Sequence, residues 1–261
     1  MAGDGIGLLL RHWECNDPRA RVLIVHGLGE HSGRYEHVGE FLTANGFEVT
    51  AYDHRGHGAS GGERVDIEAF AEYLDDLELV LEQLGQGLPI VVYGHSMGGL
   101  IAASYGMSNR PQPDLYVLSA PALSAEVPFI LRIASKMAGR IRPSMRFANS
   151  IEGDQLSRDP DVGKKYFADA LVETKTTARF GAVFLAHMQS LQDDYDKLAR
   201  PALVVHGAED ELVPPHASAP LAAVDGVERK LFPGLRHEIH NEPEQEEVLS
   251  FIVSWLDSQL A

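Results

Sequence analysis

Short apolar segments alternate with longer amphipathic segments along most of this 261-residue chain. The apolar segments are mainly unbroken runs of Val, Ile and Leu, the pattern of parallel strands that are covered on both faces. The strand candidates are GLLLRHWE, RVLIVHG, FEVTAYD, PIVVYG, DLYVLSAP, PALVVHG and ERKLFPG. Repeated strand–helix units of this kind predict an α/β protein with a doubly wound, mainly parallel sheet and helices on both faces.

The alternation stops between about residues 122 and 195, where helical periodicity persists without a convincing strand. We interpret this part as a helical insertion, or lid, between two strands of the sheet. The predicted organisation is a core over 1–121, the insertion over 122–195 and the rest of the core over 196–261. The insertion should lie over the ends of the strands where sheets of this type bind ligands.

Charge and cysteine content narrow the functional classes. A formal net charge of −16 repels a phosphate backbone, so we expect no nucleic-acid partner. The single cysteine, Cys15, excludes an intrachain disulfide and fits a reducing compartment. The N-terminal segment lacks the basic and sustained apolar regions of a signal peptide, and glycines, His95 and Ser96 interrupt the apolar stretch 89–107. We therefore expect a cytoplasmic protein.

One serine stands between glycines at the end of a strand candidate. PIVVY is followed by Gly94-His95-Ser96-Met97-Gly98, which matches G-x-S-x-G, and then by an apolar helix. In this strand-to-helix context the glycines permit a tight, strained turn that lifts the serine hydroxyl out of the core. The pattern predicts that Ser96 is a nucleophile.

A serine nucleophile needs a base, and the base needs a group that orients it. Where G-x-S-x-G ends a strand, the chain order is Ser, then Asp or Glu, then His. GAEDELVPP follows a strand candidate and offers Asp210, with Glu209 and Glu211 as alternatives. In LFPGLRHEIHNEP we favour His237 over His240 as the base, because His237 comes directly after a strand and its turn.

Two backbone N–H groups are candidates for the oxyanion hole of an acyl-transfer site. The N–H of Met97 follows the nucleophile, and the segment RVLIVHGLGEHSGRY exposes the N–H of Leu28 after an earlier strand. Loss of one such donor typically costs about 3–4 kcal/mol of transition-state stabilisation.

Neither a metal nor a cofactor is predicted. The spacing H-E-x-H at residue 237 differs from H-E-x-x-H, which places two imidazoles on one helical face, and the other histidines show no repeated ligand spacing. The chain has no GxGxxG dinucleotide fingerprint and no P-loop, and GHGASGG follows its strand without the required spacing.

Longer stretches around these motifs resemble the monoacylglycerol lipase group of α/β-hydrolases, which is sometimes classed with serine aminopeptidase-like hydrolases. These stretches are HGLGEHSGRYEHV, YDHRGHGASGG, GHSMGGLIA, SAPAL, GAEDELVPP and GLRHEIHNEPE. They span about residues 22–121 and 201–261, and HGxGEHxxRY is the most discriminating of them. The resemblance implies an α/β-hydrolase fold with a lid, and a serine ester hydrolase that releases glycerol and a fatty acid from monoacylglycerol.

The resemblance also implies roles for the residues singled out above. It implies Ser96, Asp210 and His237 as the catalytic triad, and it favours His237 over the second histidine. It implies Leu28 and Met97 as the oxyanion hole.

In this family the polar end of the pocket holds the glycerol head. The resemblance places Glu30, Arg34 and His95 there. The alternative for Glu30 and Arg34 is a structural salt bridge, because an Arg–carboxylate pair can both stiffen a loop and line a site.

The insertion contains a segment that is both apolar and basic, 127–143, VPFILRIASKMAGRIRP. Its large apolar residues include Phe129, Ile130, Leu131 and Ile133. One interpretation is an interfacial patch that makes peripheral membrane contact and admits lipid substrates. The alternative is a lid helix packed on the core with its basic side in water.

Several activities share a triad of this kind. A general carboxylesterase, a lysophospholipase, a peptidase and a cofactor-free perhydrolase stay open beside a monoacylglycerol lipase, as does a non-catalytic ligand receptor. Epoxide and haloalkane hydrolases have Asp at the nucleophile position, so Ser96 argues against both.

Overall fold

The computed structural model describes residues 4–124, 137–149 and 151–261, and its longer strands agree closely with the apolar runs. The strands are β1 Leu10–Trp13, β2 Ala20–Val25, β3 Phe47–Tyr52, β4 Ile90–His95, β5 Leu115–Ser119, β6 Arg146–Ala148, β7 Lys175–Thr177, β8 Ala202–Gly207 and β9 Val227–Phe232. Seven of them form one sheet in the order β1-β3-β2-β4-β5-β8-β9. Only β1 is antiparallel to its neighbour, so the predicted, mainly parallel sheet is confirmed.

Helices cover both faces of this sheet. They are α1 Glu36–Ala44, α2 Ala71–Leu84, α3 Met97–Gly106, α4 Gly153–Leu156, α5 Pro160–Ala168, α6 Ala178–Ser190 and α7 Gln245–Leu260. Short 3₁₀ turns occupy Ser32–Tyr35, Leu191–Asp193, Tyr195–Lys197, Pro215–Ala223 and Ile239–Asn241. Residues 137–141 are also helical.

The packing of β2 explains why the strands appear as unbroken apolar runs. Leu23 and Val25 belong to the buried cluster that includes α2 and α3, whereas Val22 and Ile24 belong to the cluster that includes α1 and α7. Since alternate side chains point to opposite faces, both sets must be apolar.

The part of the chain between β5 and β8 differs from the helical insertion that the sequence predicts. It contains α4, α5 and α6, but β6 and β7 also pair as an antiparallel ribbon. Each of these strands has three residues and no apolar run, so hydrophobic periodicity gives no signal for them. The boundaries at 122 and 195 stay a prediction.

The membrane-facing residues predicted in the insertion, Phe129, Ile130, Leu131 and Ile133, lie outside the described residues. Within the three described ranges, no helix is both long enough and apolar enough to cross a bilayer.

Candidate active site

Ser96 occupies a sharp turn between β4 and α3. Its backbone has φ 52° and ψ −114°, a region that non-glycine residues rarely adopt. A Cβ atom on Gly98 would lie 1.9 Å from the carbonyl oxygen of Val25, and one on Gly94 would lie 2.4 Å from that of Gly98. Only glycine fits at these two positions, which is the physical basis of the G-x-S-x-G pattern here.

Asp210 and His237 are brought together from the ends of β8 and β9. His237 Nδ1 lies 2.7 Å from Asp210 Oδ2, and both residues are buried. The backbone N–H groups of Leu212 and Val213 each donate to Asp210 Oδ1 at 2.9 Å. The alternative acids on either side of Asp210 are exposed, so burial distinguishes it from them.

The ionisation of this pair suits general-base chemistry. Burial alone would lower the pKa of His237, but the Asp210 carboxylate holds this pKa above its ordinary value. Burial alone would raise the pKa of Asp210, yet the charge of His237 and hydrogen bonds from His206 and His237 hold it well below its usual range. Because Nδ1–H donates to the carboxylate, Nε2 is the ring nitrogen available to take a proton.

His240, the alternative base, has a different environment. Its ring stacks on Tyr35 at 4.9 Å and meets His95 edge-on at 4.7 Å. Neither ring nitrogen has a hydrogen-bond partner among the described residues, and burial lowers the pKa of His240 to about 3. A neutral imidazole behind His95, without a carboxylate to orient it, lacks the partner that His237 has.

The two candidate oxyanion donors lie beside Ser96. Leu28, Met97 and Ser96 line one cavity. Within the described ranges, neither the Leu28 N–H nor the Met97 N–H has a hydrogen-bond partner. Met97 begins α3, so its N–H is among the unsatisfied donors of a helix N-terminus and favours negative charge.

The cavity has a volume of about 170 Å³, and both Ser96 and His237 line it. Among the described residues, neither Ser96 Oγ nor His237 Nε2 has a hydrogen-bond partner; catalytic hydrogen bonds often tighten only when substrate is bound. Much of the remaining wall is apolar: Ile151, Leu156, Phe184, Met188, Leu212 and Val213. An apolar wall beside a few convergent polar groups is typical of a small-molecule site.

The predicted head-group residues divide into two sets. Glu30 and His95 line the cavity, whereas Arg34 is not among its described lining residues. Arg34 Nη1 lies 2.5 Å from Glu30 Oε2, so the salt bridge foreseen as the alternative is present. His95 is buried, which lowers its pKa well below the ordinary value and leaves it neutral. A direct contact of Arg34 with substrate stays a prediction.

Glu238 and Tyr166 also line the cavity, although the sequence analysis assigns neither a role in the site. Glu238 is the acid of the H-E-x-H spacing at residue 237, and both of its carboxylate oxygens accept from Arg34 at 2.7 Å. Tyr166 lies in the insertion, with its ring 4.8 Å below the Arg34 guanidinium. The only sequence signal for Glu238 was its position next to His237; Tyr166 had none.

The chain is similar to known proteins in both sequence and fold. Residues 16–244 match the sequence profile of the family described as serine aminopeptidase, S33. A monoacylglycerol lipase from Mycolicibacterium smegmatis is 39% identical over 94% of this chain and 90% of its own length. The crystal structure of a monoacylglycerol lipase from Paleococcus ferrophilus has a TM-score of 0.89 and 32% identity, covering 97% of this chain and 99% of that one. A phospholipase from Bacillus subtilis is 29% identical over 95% of this chain and 99% of its length.

Proposed function

The chain belongs to the serine aminopeptidase S33 family, and from this premise we propose that it is a serine ester hydrolase that cleaves monoacylglycerol into glycerol and a fatty acid. The observation that carries the proposal is the position of His237, which lies 2.7 Å from the buried Asp210 carboxylate and lines the same apolar-walled cavity as Ser96. Relatives named as monoacylglycerol lipases support the choice of substrate.

In the proposed reaction His237 Nε2 takes the proton of Ser96 Oγ as this oxygen attacks the ester carbonyl. Asp210 keeps the imidazole in the required tautomer and stabilises its cationic form. The carbonyl oxygen becomes an oxyanion, which accepts hydrogen bonds from the N–H groups of Leu28 and Met97. His237 then protonates the leaving glycerol oxygen, and the acyl group stays on Ser96.

Deacylation repeats these steps with water. His237 removes a proton from a water molecule, which attacks the acyl carbonyl while the same two N–H groups hold the oxyanion. Collapse of this second intermediate releases the fatty acid and returns the proton to Ser96. The apolar wall supplied by Phe184 and Met188, among others, gives the acyl chain a surface to pack against.

The test is hydrolysis of a matched set of substrates: a medium-chain monoacylglycerol, the matching diacylglycerol, a lysophospholipid, a short p-nitrophenyl ester and an aminoacyl p-nitroanilide. We expect the monoacylglycerol to have the highest kcat/KM and the Ser96→Ala protein to be inactive. Preference for the anilide favours a peptidase, and cleavage of the short ester alone favours a general carboxylesterase. If wild type and mutant are equally inert while both bind monoacylglycerol, the receptor replaces the enzyme.

We also propose that the insertion contacts a lipid surface. Large exposed apolar side chains within the described ranges concentrate in it: Met137, Ile141, Met145, Phe147 and Phe167. Arg140 and Arg142 are exposed beside the first of them. Exposed apolar groups next to cations are typical of interfacial binding. This local cluster differs from the rest of the chain, which is acidic overall. Co-sedimentation with neutral and anionic liposomes tests this, and no binding to either contradicts it.

A further inference from the structure

The ionisable groups on the cavity wall point to a second property of this site. The described lining residues include Glu30, Glu238, His95 and His237, and no Lys or Arg is among them. Among the described residues, two carboxylates therefore face a space whose other titratable groups are two imidazoles and the Tyr166 phenol, and burial keeps His95 neutral.

The nearest guanidinium, that of Arg34, is committed to these carboxylates. Its Nη1 lies 2.5 Å from Glu30 and 2.7 Å from Glu238, and its Nη2 lies 2.7 Å from the second oxygen of Glu238. The Arg34 side chain is 11% exposed, and the side chains of Glu30 and Glu238 are each 3% exposed. One cation thus lies between two buried acids, with these donors pointing at the acids.

Glu238 carries negative charge in this arrangement. Burial alone would raise its pKa, but the bidentate contact with Arg34 holds that pKa below the ordinary range. Burial raises the pKa of Glu30, and its neighbour Glu238 adds to this rise. Glu30 nevertheless accepts from the Gly27 N–H at 2.6 Å and from the Tyr35 hydroxyl at 2.7 Å, in addition to Arg34.

A wall of this kind treats two chemical classes of head group differently. Ionised carboxylates only accept hydrogen bonds, so the hydroxyls of a polyol, which can donate, match them. A phosphate near neutral pH carries between about one and two negative charges and offers mainly acceptors. Among the described residues of this cavity it meets two carboxylates and no Lys or Arg side chain, and burial of an unpaired like charge is unfavourable.

We propose that Glu238, together with Glu30, excludes phosphate-bearing head groups, so that the site takes neutral polyol monoesters and rejects their phosphorylated counterparts. This inference rests on the proposed function and separates it from a lysophospholipase. Specificity then comes from a repulsive element as well as from attractive contacts. Glu238 acts here as a specificity-determining residue and takes no part in the chemistry at Ser96.

The experiment compares 1-octanoylglycerol with 1-octanoylglycerol 3-phosphate, both below the concentration at which they aggregate. For the wild type we expect kcat/KM to be at least about 100-fold lower on the phosphate, because like-charge contacts cost several kcal/mol. The preference should persist in about 1 M salt, where the Debye length is about 3 Å, because the contact is buried. Equal rates on the two substrates overturn the inference and leave the monoacylglycerol function standing.

Variants then test the residue. Glu238→Gln removes the charge and should narrow the preference at least about tenfold, whereas Glu238→Asp keeps the charge and the preference. Glu246→Gln, at an exposed position on α7, makes the same change in net charge and should leave the ratio unchanged. If the three variants behave alike, or if Glu238→Gln slows both substrates equally, Glu238 does not set specificity.

The wild-type comparison needs no variant, so the inference is testable even if Glu238→Gln does not fold. A p-nitrophenyl butyrate assay runs alongside it. Cleavage of this ester without cleavage of 1-octanoylglycerol overturns the proposed function and the inference together, because the inference requires a polyol head in the cavity.

Discussion

Ser96 and His237 are held in place by different kinds of structure. The Ser96 turn lies between a central strand and a buried helix, and steric limits fix it: Gly98 has no room for a side chain against Val25. The Ser96 N–H donates to the Ser119 carbonyl oxygen on the neighbouring strand at 3.0 Å. These contacts are backbone hydrogen bonds and close packing, so the nucleophile is placed by the sheet itself.

The loop that carries His237 depends instead on the insertion. The His237 and Glu238 N–H groups donate to the carbonyl oxygens of Gln155 and Leu156, at 3.4 and 2.8 Å. Ser157 Oγ donates to the Asn241 carbonyl oxygen at 3.0 Å. The part of the chain between β5 and β8 therefore both lines the cavity and holds the backbone of the His237 loop.

One buried carboxylate joins these two segments. Glu242 is fully buried and accepts from the Arg236 N–H at 2.6 Å, directly before His237. It also accepts from the Arg158 N–H at 3.0 Å and from Ser157 Oγ at 3.2 Å, both in the insertion. Backbone packing thus places Ser96, whereas polar contacts place the His237 loop. These polar contacts join residues more than 80 positions apart in the sequence.

The largest effect should come from removing the serine hydroxyl without disturbing its support. Ser96→Ala keeps the backbone and the glycine packing, so we expect kcat to fall about 10⁴- to 10⁶-fold with little change in Tm. Ester hydrolysis and thermal unfolding of the same preparation measure both quantities. Residual activity within about tenfold of wild type contradicts the assignment of Ser96.

The next effect tests the orientation of the base. Asp210→Asn keeps the shape of the acid but presents the wrong hydrogen-bonding pattern to Nδ1, so kcat should fall by about 10⁴-fold. In the wild type the pKa of His237 is raised above 6.5, the ordinary value for histidine. The value of kcat/KM should therefore fall as pH drops through this raised pKa, because His237 becomes protonated. The variant should shift this fall in kcat/KM to lower pH, and an unchanged position shows that Asp210 does not control His237.

A smaller effect tests whether the insertion positions the base. Glu242→Gln weakens the contact between Arg236 and the insertion, and we expect kcat to fall about 10- to 100-fold, with KM changing less, because small misplacements of catalytic groups are costly. Glu244→Gln is the matched control, since the Glu244 side chain also contacts Arg158 but is half-exposed and, among the described residues, has no hydrogen bond or ion pair to the His237 loop. If Glu242→Gln lowers Tm and leaves kcat unchanged, the polar contacts of Glu242 stabilise the fold but do not position His237.

The same contrast explains how much could be predicted from sequence. The inner strands of the main sheet and the turn at Ser96 are encoded locally, because a two-face burial pattern and a glycine requirement are visible within a few residues. The β6–β7 ribbon, Tyr166, Glu238 and Glu242 were not identified. Their roles depend on partners far along the chain, such as Arg34 for Glu238, and no short pattern encodes such a pairing.

The segment around Gly27 and the loop that carries His237 should also lose stability at different pH values. Two positions before Leu28 in the chain, His26 Nδ1 lies 2.8 Å from the Gly27 carbonyl oxygen, and His26 Nε2 accepts from the His54 N–H at 3.0 Å. The His26 and His54 rings are 4.2 Å apart, and His57 is 5.5 Å from His26. Burial lowers the pKa of all three imidazoles, to about 4 for His57.

These shifts fix the sign of the smallest predicted effect. A histidine whose pKa is lower in the folded than in the unfolded protein costs no stability above pH 6.5, and the free energy of unfolding then falls as pH drops towards the folded pKa. Each histidine lowers the free energy of unfolding by at most about 1.4 kcal/mol per pH unit. In a chain of this size, each kcal/mol corresponds to a change of about 2–4 °C in Tm. Asp210 and Glu238 have lowered pKa values and lose their contribution only below the ordinary carboxyl range. Between pH 6.5 and 4, hydrogen exchange should therefore rise first around Gly27 and His54. The substitution His57→Asn should make Tm depend less steeply on pH over the same range. If the amides around His237 lose protection at a higher pH than those around Gly27, the prediction is wrong.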